Sequence, residues 1–440
     1  MMGNSVKIAV IGAGSTYTPE LVNGILDFRS SLPVRELALM DIDKEKLEIV
    51  GGLCRRMVAA AGLECETCLT MDLDEALTGA DFVITQIRVG RLPARVLDET
   101  IPLEFDLIGQ ETTGIGGFFK ALRTIPQLLH IARRMEALCK DAFMINFTNP
   151  SGIVTQALLT HSNVKAIGLC NVPVNMRADL IQRMGLKNAK RVDMEYVGLN
   201  HLSWITRITA DGKDLTEEAI SQGITAVPMK NIKACGFTPE CIQTVRAIPS
   251  PYLEYFYNKN HKLEQQKTAE KCRGQICMEI ERELLEVYKN TEVHDKPVQL
   301  EQRGGSKYSL AAISLIDSIF NDRGDNHVVN CLNQGAVPFM ADDDVVEISC
   351  IVGRDGVKPI PLRDFDNPHI QALMKVMKAY ERHTVNAAVL GDDREALRGL
   401  MINPLIFDYR AAEACYHRLK QAHRAYLPQF FPESGESHGS

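Results

Sequence analysis

The 440-residue sequence has no uninterrupted apolar run near the ~20 residues that a membrane-spanning helix needs, which excludes a protein built on such helices. It has no surplus of positive charge either. Lys and Arg number 49 against 56 Asp and Glu, a net charge of −7 at pH 7. That balance argues against a general binder of nucleic acid or of an anionic membrane. A phosphorylated ligand remains admissible through a local basic pocket. No long apolar stretch with a cleavage-like site follows Met1. The run Ile8–Ile11 leads straight into a glycine turn and reads as a strand, so the expected location is the cytoplasm. The twelve cysteines are scattered, and Cys65-x-x-Cys68 has no second pair at zinc-finger spacing, so free thiols are expected. Internal repeats and low-complexity linkers are absent, and the length predicts two closely packed domains.

What is present is periodic. Over the first 170 residues short apolar runs alternate with helical patterns. The expected strands are Lys7–Ile11, Leu37–Met40, Phe82–Gln86, Phe143–Phe147 and Ala166–Leu169. The expected helices are Glu20–Phe28, Lys44–Ala61, Phe118–Leu138 and Val154–Leu159. This alternation gives βαβ units and a parallel sheet. With right-handed crossovers it becomes a Rossmann-like, doubly wound α/β domain whose ligand cleft lies at the carboxyl ends of the strands. Near residue 190 the pattern changes. Val192–Val197 and Ser203–Thr209 read as antiparallel strands, Glu270–Lys289 and Pro368–Ala388 as long helices, and Asp342–Val352 as a mixed stretch. The expected organisation is a nucleotide-binding domain over 1–190 and an α+β domain over 191–432 for substrate, metal and subunit contacts. A disordered polar tail is expected over 433–440.

Lys7-Ile-Ala-Val-Ile-Gly12-Ala-Gly14-Ser15 places two glycines directly after a buried strand. Gly12 permits a tight turn, and Gly14 lets the backbone approach a pyrophosphate at the following helix N-terminus. The third glycine of the full dinucleotide pattern is absent, with Tyr17 in its place. Leu37-Ala-Leu-Met-Asp41 then ends the next strand with a carboxylate, where NAD proteins hold the ribose hydroxyls. No Arg follows Asp41, which favours NAD over NADP. A strand–turn–helix junction without a nucleotide is the alternative, with Asp41 or Asp43 serving only as a helix cap.

Five stretches converge. They are Gly12-Ala-Gly-Ser-Thr-Tyr-Thr-Pro19, Gly109-Gln-Glu-Thr-Thr-Gly-Ile-Gly-Gly117, Asn146-Phe-Thr-Asn-Pro150, Gly168-Leu-Cys-Asn-Val-Pro173 and Gly198-Leu-Asn-His-Leu-Ser203. Together they resemble glycoside hydrolase family 4, the NAD- and divalent-metal-dependent glycosidases, from about residue 6 to past residue 400. Arg303-Gly-Gly305 is a further landmark. Cys-Asn-Val-Pro resembles the 6-phospho-β-glucosidase branch. The 6-phospho-α-glucosidases tend to carry Asp at the position of Asn171, where it is proposed to act as the acid. Ile115 stands where Pro is common in relatives, and Gln302 where Lys is more usual.

The resemblance implies a lactate/malate-dehydrogenase-like fold and a redox–elimination route, outside the usual two-carboxylate chemistry of glycosidases. NAD removes hydride from C3 of the sugar, and the ketone acidifies the C2 proton. A base takes that proton and the glycosidic oxygen leaves C1. Water adds, and the hydride returns to C3. By the same resemblance Gly12, Gly14, Ser15, Thr16 and Asp41 are expected against the cofactor. Cys170 and His201 are the expected ligands of a divalent metal, Mn2+ in the family, which polarises the C3 oxygen.

Tyr252, in Ile248-Pro-Ser-Pro-Tyr252-Leu, is the expected base, with Tyr255 and Tyr257 as packing residues. A phenol with a pKa near ~10 needs positive charge nearby to ionise. Glu111 supports the base, bonds sugar hydroxyls or orders the glycine-rich loop, and Asn171 completes the catalytic set. Arg95, Arg273 and Asn149 match substrate-contacting positions, with Arg303 and Arg88 as further phosphate candidates.

The implied activity is hydrolysis of a 6-phospho-β-glucoside, a phosphorylated disaccharide or aryl glycoside, by a homodimer or homotetramer. Three alternatives stay open. One is an NAD-dependent 2-hydroxy-acid dehydrogenase, with a His–Asp pair and no metal. The second is another branch of the family, 6-phospho-α-glucosidase or α-galactosidase-like. The third is a silent NAD or sugar-phosphate sensor.

Overall fold

The computed structural model describes residues 5–225, 232, 235–303 and 308–431. The tail expected over 433–440 and the side chain of Arg303 lie outside the described residues. The first half runs β1 (Val6–Ile11), α1 (Thr18–Asp27), β2 (Val34–Met40), α2 (Lys44–Ala60), β3 (Glu66–Thr70) and β4 (Phe82–Thr85). It continues with α3 (Arg91–Thr100), α4 (Gly114–Leu138), β5 (Phe143–Asn146), α5 (Ser151–His161), β6 (Lys165–Gly168) and α6 (Val172–Arg183). All six residues of β1 are buried, which is why Ile8–Ile11 is a continuous apolar run and not an alternation, while the buried Lys7 pairs with Glu36. The six strands lie in the order β3-β2-β1-β4-β5-β6 and are parallel throughout. Strand order reverses between β1 and β4, so the crevice at their carboxyl ends is the place for a ligand.

The second half contributes β7 (Val192–Leu199), β8 (Leu202–Ala210), α7 (Arg273–Lys289) and α8 (Tyr308–Asn321). After them come β9 (Asp325–Leu332), β10 (Val345–Gly353), β11 (Gly356–Pro359), α9 (Pro368–Leu390) and α10 (Tyr409–Ala422). β7 and β8 form the antiparallel hairpin expected from their alternation, and they carry a separate small sheet. The mixed stretch around Asp342–Val352 resolves into β10. It joins β9 and β11 as an antiparallel extension of the first sheet, where β9 meets β6 at Asn330 and Gly168. The nine-stranded sheet is therefore built from both ends of the chain.

Polar contacts tie α7 to the nucleotide half. The Tyr288 hydroxyl donates to the Thr16 carbonyl at 2.8 Å, Arg56 Nη2 donates to the Tyr288 carbonyl at 2.8 Å, and Lys46 pairs with Glu281. At the other end of α7, the Gly274 amide donates to Glu99 Oε2 at 2.6 Å. The deepest ion pair lies below the cleft, where Arg123, Asp98 and His423 are all fully buried. Arg123 Nη1 donates to Asp98 Oδ1 at 2.9 Å, and His423 Nε2 lies 2.9 Å from the same oxygen. This cluster fastens the segment after α10 to α3 and α4.

Candidate active site

A cleft of about 1020 Å³ opens at the carboxyl ends of β1, β2, β4 and β5. Its nucleotide end is made of backbone. Gly12 has φ +94°, a left-handed conformation that favours glycine, and a Cβ there would meet the Gln86 backbone at 3.0 Å. A Cβ on Gly14 would come within 2.9 Å of Asp41 Oδ2. Instead the Gly14 amide donates to that oxygen at 2.8 Å, and the Asp43 amide donates to Oδ1 at 2.9 Å. Helix capping falls to Asp43, whose side chain accepts from the Lys46 amide. Asp41 lines the cleft with Gly12, Gly14 and Ser15. Thr16 is fully buried behind the loop, with its carbonyl held by Tyr288.

The middle of the cleft is ionic. Glu111 pairs with Arg95 at 2.9 Å, with Lys120 at 2.7 Å and with Arg88. Burial pushes the Glu111 carboxyl up, but the three cations outweigh it and hold its pKa well below the ordinary carboxylate value. Lys120 is only 2% exposed, and burial together with the Arg88 charge pushes its amine down to about 7. Arg95 also donates through Nε to Glu99 at 2.7 Å. Arg273, in the first turn of α7, lines the same cleft and donates through Nη2 to the Gln302 carbonyl at 3.3 Å. Asn149 lines it too, and its buried Oδ1 has no partner among the described residues. An orphaned buried acceptor of this kind is a place for a ligand hydroxyl.

At the far wall His201 lines the cleft, and Cys170, 31 residues away in sequence, lies buried behind it. Cys170 follows β6, and His201 closes the two-residue connection between β7 and β8 with φ +64°, an uncommon conformation for a side chain with a Cβ. Cys170 Sγ lies 3.4 Å from His201 Nε2. Two such donors this close could be shared by one cation. Burial, with a contribution from Lys120, pushes His201 down to about 3, which keeps the imidazole neutral as a metal ligand must be. Burial and Glu347 push the Cys170 thiol up, so it ionises only for a strong positive charge. Among the described residues no group of three or more His, Cys, Asp or Glu could hold a metal ion. Were Cys170 and His201 to hold a cation, two protein ligands would leave positions open for substrate oxygens and water.

Tyr252 stacks on the His201 ring and lines the cleft, as does Asn171 beside Cys170. Tyr255 and Tyr257 do not line it. Tyr255 is buried, and the Tyr257 hydroxyl accepts from Trp204 Nε1 at 3.1 Å and meets His369 Nε2 at 2.9 Å.

The fold is shared with known proteins. The model described as "Family 4 glycosyl hydrolase" matches residues 7–186, and that for the family's C-terminal domain matches residues 196–406. The chain belongs to family 4 of the glycosyl hydrolases. It is 43% identical to a probable 6-phospho-beta-glucosidase of Bacillus subtilis over 98% of this chain and 99% of that one. The 6-phospho-beta glucosidase of Thermotoga maritima, solved with manganese, NAD+ and glucose-6-phosphate, superposes with a TM-score of 0.87 at 35% identity. The match covers 96% of this chain and 99% of that structure. A malate dehydrogenase of Plasmodium falciparum matches with a TM-score of 0.53 at 14% identity, covering 87% of this chain and 98% of that one, a likeness of fold alone.

Two features of this family 4 site escape a reading of the sequence. Lys120 sits in the run Phe118-Phe-Lys-Ala-Leu, where a lone lysine on an apolar helix face is the signal. Glu347 sits in Val345-Val-Glu-Ile-Ser-Cys, a carboxylate in a strand otherwise of buried apolar and small residues.

Proposed function

We propose that the chain hydrolyses 6-phospho-β-glucosides to glucose 6-phosphate and an aglycone, with NAD and a divalent cation, Mn2+, as cofactors. The observation that carries this reading is the 3.4 Å approach of Cys170 Sγ to His201 Nε2, with Tyr252 stacked against that imidazole in the same cleft as the Gly12–Gly14 turn. When bound, NAD would supply a reversible oxidation at C3 of the sugar, and the cation a Lewis acid for the C3 oxygen.

The residues of the chain do the rest. Gly12, Gly14, Ser15 and Thr16 shape the turn for the pyrophosphate, and Asp41, already fixed by two backbone amides, offers its carboxylate to the ribose. Cys170 and His201 hold the cation. Tyr252 takes the C2 proton. Its hydroxyl belongs to a short turn, Pro251–Leu253, that the His201 stack holds in place. Asn171 lies beside Cys170 at the position that separates the branches, and an amide there cannot act as the acid, which favours a β-linked substrate. Glu111 serves as a fixed anion that keeps Arg88, Arg95 and Lys120 in the cleft and does not titrate at neutral pH. Arg95, Arg273 and Asn149 receive the sugar and its phosphate, with Arg303 as a further candidate. Arg95 is committed to Glu99 and Glu111, and the half-buried Arg273 reaches the same cleft from the first turn of α7.

The same reading divides the chain at residue 190 into nucleotide-binding and substrate portions. It places the protein in the cytoplasm, supported by twelve cysteines that stand as free thiols. No helix among the described residues is long and apolar enough to cross a membrane. Phe407, 75% exposed, lies near the exposed Tyr409 and Met401 and supports a subunit contact in a homodimer or homotetramer.

The test is release of nitrophenol from p-nitrophenyl-β-glucoside 6-phosphate with NAD, Mn2+ and a thiol reductant, each omitted in turn. Release that needs both NAD and Mn2+, without net NADH, is expected. Steady NADH formation from a hydroxy acid, and no release, would replace this reading with a dehydrogenase. The only His–Asp contact noted above, His423 with Asp98, is fully buried and lines no part of the cleft.

A further inference from the structure

We propose that Glu347 is a positioning residue for the Cys170–His201 pair, one buried carboxylate holding the backbone on both sides of the site; the proposal rests on the metal-site reading above. Glu347 lies in the middle of β10 and is 1% exposed. Its Oε1 accepts from Asn200 Nδ2 at 3.0 Å and from Asn330 Nδ2 at 3.1 Å, and its Oε2 accepts from the Tyr196 hydroxyl at 3.1 Å.

Each of these three partners leads to the site. Asn200 directly precedes His201, and its side chain also reaches the Cys170 sulfur. Asn330 Nδ2 is in addition 3.3 Å from the Gly168 carbonyl, two residues before Cys170. There the strands approach so closely that a Cβ on Gly168 would meet Asn330 Cβ at 2.9 Å. The Tyr196 hydroxyl lies 2.5 Å from Ser203 Oγ, two residues after His201. The connection that carries the imidazole is thus held on both flanks, and the strand end that leads to the thiol is held by the same oxygen. The distance between sulfur and nitrogen is fixed through one group.

The charge matters as well as the shape. A buried carboxylate is costly unless it is bonded or paired. Among the described residues no lysine or arginine pairs with Glu347. A divalent cation held by a thiolate and a neutral imidazole keeps one positive charge in excess. Glu347 stands behind the pair in the outer-shell arrangement that orients ligands and raises metal affinity.

The experiment is Mn2+ titration of the full-length protein with NAD present, with free Mn2+ read by electron paramagnetic resonance. The proteins compared are wild type, Glu347→Gln, Tyr196→Phe and Cys170→Ala. Gln keeps the shape and removes the charge. Expected for Glu347→Gln is a Kd for Mn2+ raised ~10- to 100-fold, the range for loss of an outer-shell partner. NAD affinity should be unchanged, and the loss in kcat/KM should be recovered as Mn2+ is raised. A variant that binds NAD normally and has a Kd for Mn2+ within twofold of wild type overturns the proposal. So does an activity loss that excess Mn2+ does not recover. If Glu347→Gln fails to fold, Tyr196→Phe decides by the same criteria, since it cuts the arm to Ser203 and leaves Asn200 and Asn330 on the carboxylate. Wild type that binds Mn2+ no better than Cys170→Ala would overturn the metal-site reading itself. Wild type that binds it well while both outer variants do so equally overturns only the role of Glu347.

Discussion

The imidazole of His201 and the phenol of Tyr252 lie face to face, with ring centroids 3.8 Å apart and 12° between their planes. The stack places a hydroxyl beside a ring whose far nitrogen meets Cys170. Tyr252→Phe keeps the stack and removes only the oxygen. The expected result is NAD and Mn2+ binding near wild type, with kcat lowered by about 10²- to 10⁴-fold, the range for loss of a general base. Single-turnover assays with C2-deuterated substrate check it. An unchanged kcat would remove Tyr252 from the chemistry.

Gly14 and Asp41 allow a second prediction. Gly14→Ala puts a methyl group 2.9 Å from Asp41 Oδ2, so the carboxylate must move off the Gly14 amide. NAD affinity should fall by at least ~10-fold, about 1.4 kcal/mol or more. Calorimetric titration with NAD measures it, and the melting temperature without NAD should change little by comparison.

Lys120 predicts a titration near neutrality. Burial first, and then Arg88, lower its pKa to about 7 against the ordinary 10.5, with Glu111 opposing them. A lysine with a lowered folded value destabilises the native state fully below about pH 7, and progressively less between there and 10.5. NMR of protein carrying 13C-labelled lysine should show one resonance with its midpoint near 7. No lysine titrating below pH 9 would contradict the picture of a buried, crowded amine.

The buried Asp98 predicts acid sensitivity. Burial raises its pKa, but Arg123 and His423 lower it further, to a net value below the ordinary 3.8. A carboxyl depressed in the folded state contributes stability above its unfolded value and loses it as pH falls through the folded one. Asp98→Ala should cost about 3–5 kcal/mol at pH 7, because it leaves Arg123 buried and unpaired. The gap between mutant and wild type should narrow below about pH 4. Urea unfolding at pH 7 and pH 3 measures both. A constant gap would mean that the cost is one of packing alone.

Much of this was legible in the residues. β1, β2, β4, β5 and β6 lie where their apolar runs place them, because strands buried on both faces announce themselves by composition. β3 is missed: Glu66-Thr-Cys-Leu-Thr70 is a half-exposed edge strand with little apolar content. α3 is missed for a different reason. Its buried positions include Arg95, Asp98 and Glu99, so ionic pairs occupy the face where a helical pattern would show apolar residues. Asp43 emerges as the helix cap and Asp41 as the acceptor of the Gly14 amide, a division that identity alone left open. The joining of β10 to the first sheet was out of reach, since periodicity is local and β9 and β6 are more than 150 residues apart. The Glu111, Arg88, Arg95 and Lys120 cluster depends on the same kind of long-range adjacency.

α7 runs from Arg273 beside the sugar end of the cleft to Tyr288, whose hydroxyl grips the Thr16 carbonyl behind the dinucleotide turn. Seventeen residues of helix make a strut about 25 Å long. Were the helix to shift as one body, a displacement at one end would reach the other and the two ligands would be coupled. Linkage makes that coupling mutual: whatever factor the dinucleotide applies to the affinity of the sugar phosphate, the sugar phosphate applies to the dinucleotide.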